Sequence, residues 1–163
     1  MTISEKLLPE FEQEMKTTRR LLERVPSEKA EWKPHEKSFA LGHLAQLVAW
    51  IPGWITKTLR ETELNLQGSA GYSFEKTETI LELFDQNVAE ATAAMRESSD
   101  ADYAVIWSLK GGDHVFMSQP RETVVRNHIS HLVHHRGQLT VYLRLLDVPL
   151  PSIYGPTADE KWG

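Results

Sequence analysis

The stretch Asn127-His128-Ile129-Ser130-His131-Leu132-Val133-His134-His135 holds four of the chain's seven histidines. It lies inside a helical pattern that opens near Pro120 and runs to about Leu146. Proline is tolerated in a first turn because its missing N–H would be unpaired there anyway. Asp147-Val148-Pro149 ends the pattern. Helical positions advance ~100° per residue, so His135 falls ~20° and His131 ~60° from His128. Those three share the face of Val124, Leu139, Tyr142 and Leu146, which is expected to point into a core. Charged imidazolium is costly there, so the rings should be neutral or metal-bound. His131 and His135 are one turn apart, where two imidazoles can grip one ion. The two histidines of H-E-x-x-H zinc helices share this spacing, but Leu132-Val133-His134 lacks the catalytic glutamate, which excludes that kind of protease.

Outward from this helix, three further long helical patterns are predicted. The first runs from about Ser4 to Val25 through Leu7, Leu8, Phe11, Met15, Leu22 and Val25, with Thr2 and Glu5 at capping-box spacing. Pro26 and Ser27 stop it, and a polar connector, Glu28 to Lys37, follows. The second runs from about Ala40 to Arg60, with Pro52 inside it and a kink expected there. The third runs from Ser73 or Thr77 to about Glu97 on Leu81, Phe84, Val88, Ala91 and Met95. Gln67-Gly68-Ser69-Ala70-Gly71 reads as a flexible loop. Between Asp100 and Pro120 the pattern alternates at Val105, Trp107 and Leu109, turns at Gly111-Gly112-Asp113, and resumes at Val115 and Met117, as a short hairpin or an ordered loop. The tail, Leu150 to Gly163, is expected to lie extended on the rest. Four amphipathic helices with one small insertion predict a single all-α domain over residues 1–163, a four-helix bundle.

Composition narrows the chemistry. The chain has no cysteine, which removes disulfides, iron–sulfur ligation and protein thiols. Its formal charge of -5 gives no basic field for nucleic acid. No apolar run is long enough to span a membrane, and the first residues lack a signal-peptide pattern, so a cytoplasmic protein is expected. No phosphate loop, nucleotide fingerprint, hydrolase triad order or paired Glu-x-x-His motif occurs.

Two histidines on one helix leave a metal underbound, and a catalytic site usually has three protein ligands. His43, among apolar residues near the start of the second helix, is the candidate third. His128 is a rival ligand or a supporting partner. His134 is a supporting or interface residue, and Gln138 is placed to orient a ligand or bound water. Arg136 and Arg144 read as solvated side chains, or else as anion binders. Tyr142 reads as packing, and Trp50, Trp54 and Trp107 as core or dimer contacts. His35 and His114 are expected in solvent.

The run His131-Leu132-Val133-His134-His135-Arg136-Gly137-Gln138-Leu139-Thr140-Val141-Tyr142-Leu143-Arg144 resembles the H-x-x-x-H-R-G-Q-x-x-x-Y-x-R hallmark of the DinB-like (YfiT-type) family of metalloenzymes. Glu31-Trp32-Lys33-Pro34, Gly42-His43-Leu44 and the tail Pro151-Ser152-Ile153-Tyr154-Gly155-Pro156-Thr157-Ala158-Asp159-Glu160 resemble other parts of that family. The resemblance implies an up-down-down-up bundle, often a homodimer, with a metal held by His43, His131 and His135; it selects His131 over His128. Members with assigned activity are transferases or isomerases that use low-molecular-weight thiols such as bacillithiol or mycothiol.

The expected function is therefore a metal-dependent thiol S-transferase acting on small electrophiles. Zinc, nickel or iron would suit three imidazoles. Gln138, His134 and Arg136 are the candidate catalytic residues, and Arg136 or Arg144 would steer an anionic substrate. The alternatives are a non-catalytic metal- or ligand-binding stress-response bundle and a metal-dependent hydrolase.

Overall fold

A computed structural model describes residues 1–69, 71–73 and 76–161. Helix α1 spans Ile3–Leu22, α2 Leu41–Arg60, α3 Thr77–Glu97, α4 Asp100–Ala104 and α5 Arg121–Leu145. Strands β1 (Glu63–Asn65), β2 (Ile106–Gly111) and β3 (His114–Pro120) form one sheet in the order β1-β2-β3. The protein is thus mostly helical but not all-α: the sheet corrects that expectation. Ala70 in the loop and residues 162 and 163 of the tail lie outside the described residues.

Local chemistry sets the helix ends. Thr2 and Glu5 form the reciprocal capping box predicted for α1. Ser99 and Asp102 form a second one that starts α4, an element the alternation between Asp100 and Pro120 concealed. On α2, Pro52 lies inside a helix that continues on both sides. It leaves the Val48 carbonyl without its usual i+4 donor. One residue on, the Ala49 carbonyl accepts a bond from Asn87 Nδ2 of α3 at 2.9 Å. The adjacent Gly53 lets α3 come that close, since a Cβ there would lie 2.8 Å from Asn87 Oδ1.

One apolar core holds the four long helices together. α1 supplies Leu7, Phe11, Met15, Leu21 and Leu22, and α2 supplies Leu44, Val48, Ile51 and Ile55. Ile80, Phe84 and Met95 come from α3, and Ile129, Leu132, Leu139 and Leu143 from α5. The most extensive helix pairings are α2 with α3 and α2 with α5, while α1 lies against α3 and α5. The alternating residues after Val105 do form the hairpin, antiparallel with a bulge at Leu109/Lys110 and with Gly112 at φ +62° in its turn. Trp107, 1 % exposed, anchors it to the helices. β1 adds in parallel to β2, and the sequence signal did not announce it.

Candidate functional site

The buried face of α5 runs through Val124, Val125, Ile129, Leu132, Arg136, Leu139, Tyr142 and Leu143. Val124, Leu139 and Tyr142 of the predicted core face are buried, and the face extends past them to Arg136, so the histidines lie at its edge rather than its centre. His128, His131 and His135 sit one step round from it, half-buried where α5 meets α2, and His134 is exposed.

His131 and His135 meet, their Nε2 atoms 2.8 Å apart. His135 Nδ1 lies 2.7 Å from Gln138 Oε1. An amide oxygen only accepts, so Nδ1 carries the His135 proton and Nε2 keeps its lone pair. Burial lowers the His131 pKa, with the neighbouring His135 and His134 second. With its own lone pair on Nε2, His135 accepts the contact from His131 Nε2–H, and the two Nε2 atoms face one point. His134 packs edge-on against His135, with centroids 4.9 Å apart.

His128 is different. Thr58 Oγ1 donates its only proton to the Trp54 carbonyl at 2.8 Å. The His128 Nε2–H must therefore donate to Thr58 Oγ1, 3.2 Å away. Burial, helped by His131, lowers the His128 pKa to about 4. The ring sits beside Trp54 and Trp107 as a satisfied neutral group, its Nε2 already committed.

His43 occupies the first turn of α2. Backbone bonds from Leu41 N–H to Trp32 O and from Gly42 N–H to Ala30 O, both 2.9 Å, fix where that turn begins. The imidazole lies between Phe39 (centroids 4.3 Å) and Tyr72 (3.9 Å). Trp50 stacks on the far side of Tyr72 at 4.8 Å, so four rings form a column. His43 Nε2 is buried without a hydrogen-bond partner. Burial lowers its pKa, with Lys33 second. Phe39 also faces His135 at 6.4 Å, which puts His43 and His135 against the same phenyl ring. Tyr142 O–H donates to the Phe39 carbonyl at 3.2 Å and so positions that ring. Among the described residues no three His, Asp or Glu side chains already converge on one point. Two converge, and the third faces the ring beside them.

The arginines are elsewhere. Arg136 is 1 % exposed, not solvated. Its guanidinium is 2.6 Å from Glu14 Oε2 of α1 and donates to Tyr154 Oη at 2.9 Å. Tyr154 in turn donates to Glu14 Oε1 at 2.8 Å. Arg144 pairs with Asp159 at 2.5 Å, and Asp159 also accepts from Leu150 N–H. Both arginines bind the tail, and neither is brought to the histidines. His35 and His114 are exposed, as expected. Trp54 lies 5.8 Å from His131 by ring centroid. Sequence reasoning missed Phe39, Thr58 and Tyr72. Nothing local marks Phe39 or Tyr72, which reach the site from connectors.

The chain matches the DinB family model over residues 1–162. An uncharacterized protein, YrdA of Bacillus subtilis strain 168, is 25 % identical over 155 residues, covering 95 % of this chain and 89 % of YrdA. The fold is similar to the crystal structure of a DinB-like protein from Bacillus cereus ATCC 10987, with TM-score 0.75, 24 % identity, and 92 % and 97 % of the two chains covered. It is also similar to that of the DinB-like protein YjoA of Bacillus subtilis, with TM-score 0.71, 15 % identity, and 96 % and 99 % covered. On the evidence of that near-complete match, the chain belongs to the DinB family.

Proposed function

We propose that His43, His131 and His135 hold one divalent transition metal and that the site serves transfer of a low-molecular-weight thiol to a small electrophile. The observation that carries this reading is the pair of His131 and His135 Nε2 atoms, 2.8 Å apart, with the His135 tautomer set by Gln138. The donor set fits the metal: neutral imidazoles suit zinc, nickel or iron, and the unpartnered Nε2 of His43 is the natural third ligand. When bound, such a metal lowers the pKa of a coordinated thiol.

The chain's own residues do the rest. Gln138 keeps the proton on His135 Nδ1 and thereby keeps Nε2 available. Phe39 and Trp54 cover the flanks of the rings and keep water from them. Phe39 lies against both His43 and His135, so bringing His43 to the pair requires that phenyl ring to give way. His128 stays in the packing between α2 and α5 and is not a ligand.

Elemental analysis of untagged protein, beside the His43→Ala and His131→Ala variants, tests the assignment. Wild type should carry about one transition metal per chain, and each variant should lose it, because a three-ligand site has no spare. Stoichiometric metal in both variants would end this reading. A thiol panel with the metal-loaded protein and a chloro-nitroaromatic then tests turnover. Bound metal without turnover for any thiol would leave a metal that only ties α2 to α5.

A further inference from the structure

His43, Gln46 and Trp50 stand at i, i+3 and i+7 on α2, so they share one face of that helix, within ~60° of each other. All three hold residues 72 and 73, which belong to no helix or strand. Gln46 is 3 % exposed, and an amide buried that far is costly unless it is hydrogen-bonded. Its Oε1 accepts a bond from Ser73 N–H at 3.1 Å. Trp50 stacks on Tyr72, with centroids 4.8 Å apart and the planes 27° from parallel. Tyr72 in turn covers one face of the His43 imidazole at 3.9 Å, and Phe39 covers the other at 4.3 Å.

The two covers differ in how they are held. Phe39 comes from the connector before α2 and stands on the side of His135. Tyr72 is fixed by a hydrogen bond to the residue after it and by an indole, both supplied by the helix that carries His43. Helix, imidazole and backing ring therefore keep their relative places whatever Phe39 does. Retreat of the imidazole is blocked, and the way open to it leads past Phe39 to the His131/His135 pair. A ligand with fewer rotamers to lose binds more tightly for the same contacts.

We propose that Gln46, through Ser73, and Trp50 position Tyr72 as a backstop that aims His43 at its fellow ligands before a metal arrives. They are positioning residues, acting through Tyr72. The assignment rests on the metal reading above and adds how the third ligand is directed.

Zinc affinity, measured by chelator competition, tests it in three variants. Gln46→Met keeps the side chain's length without the acceptor, and the freed N–H of exposed Ser73 meets water, so the fold should survive. Gln46→Met and Tyr72→Leu should each weaken zinc about tenfold or more, as loss of an outer partner of a metal ligand does. Tyr72→Phe keeps the ring and should match wild type. Denaturant unfolding of the metal-free proteins should change little, and the Tyr72 pair carries the test if Gln46→Met does not fold. Proton–carbon spectra of metal-free, histidine-labelled protein give a reading without metal. The His43 ring protons, shifted upfield by the stacked faces, should move toward the ordinary imidazole position in Gln46→Met, while those of His131 and His135 stay. Unchanged zinc affinity in Gln46→Met and Tyr72→Leu, an equal loss in Tyr72→Phe, or unmoved His43 resonances would overturn this assignment alone. Wild type that binds no zinc would bring down the metal reading and this assignment with it.

Discussion

His135 and Arg136 are neighbours in the chain and face different neighbourhoods of α5. Arg136 points at α1, where Glu14, Thr18 and Tyr154 supply its hydrogen bonds and ion pair. His135 points toward α2, and its polar partners among the described residues are His131 and Gln138 of its own helix. Across from it, His43 Nε2 has none. A buried polar group is normally satisfied, and one left open marks either a cost or a waiting ligand. The arginine side finds its ion pair and hydrogen bonds within the protein, and on the histidine side His43 Nε2 is left without a partner. The H-R-G-Q run therefore serves two purposes: Arg136 ties α5 to α1 and the tail, and the residues beside it line the candidate site.

The sharpest way to break that contrast is to truncate both residues. Arg136→Ala strands Glu14 in the core and should cost about 3–5 kcal/mol of unfolding free energy. His135→Ala should cost no more than about 1 kcal/mol and abolish metal binding. Denaturant unfolding and metal analysis on both variants read this out. A stable Arg136→Ala protein that has lost its metal would reverse the assignment of the two sides.

His128 sharpens the contrast within the histidines. Its folded pKa of about 4 lies below the ordinary value of 6.5. Between those values the unfolded chain binds more protons, so stability is full above about pH 6.5 and falls as pH drops toward 4. The gap corresponds to about 3 kcal/mol. Unfolding measured at pH 7 and pH 4 should show a steeper loss in wild type than in His128→Gln. Parallel losses would mean the ring is not buried neutral.

Smaller effects follow from supporting residues. Gln138→Ala removes the acceptor that sets the His135 tautomer and should weaken zinc about 10- to 100-fold in competition with a chelator, with little change in unfolding. Unchanged zinc affinity would remove Gln138 from the site. Tyr142→Phe loses one hydrogen bond, to the Phe39 carbonyl. It should cost about 1 kcal/mol and leave the edge-on contact with Trp32 intact. A null effect would show that Phe39 is held by packing alone.

Signals that are local in the chain were legible before any coordinates. The four long helices follow from apolar spacing, and the start of α1 from the reciprocal cap at Thr2/Glu5. The hairpin follows from alternation around Gly111-Gly112-Asp113. The His131/His135 pair follows from i,i+4 spacing, and its meeting at 2.8 Å is a property of one helix. What tertiary structure alone decided has partners far apart in sequence. A helical wheel fixes angles between residues of α5 but not which direction is inward; packing against α1 put Arg136 there and turned the histidines to the boundary. Glu14 lies 122 residues from Arg136, and Thr58 lies 70 from His128. The three residues of β1 have no pattern of their own and become a strand only by pairing with β2. Periodicity reports the conformation of a segment, because neighbouring turns share one backbone. Which side chains are satisfied depends on segments brought together by the collapse of the whole chain.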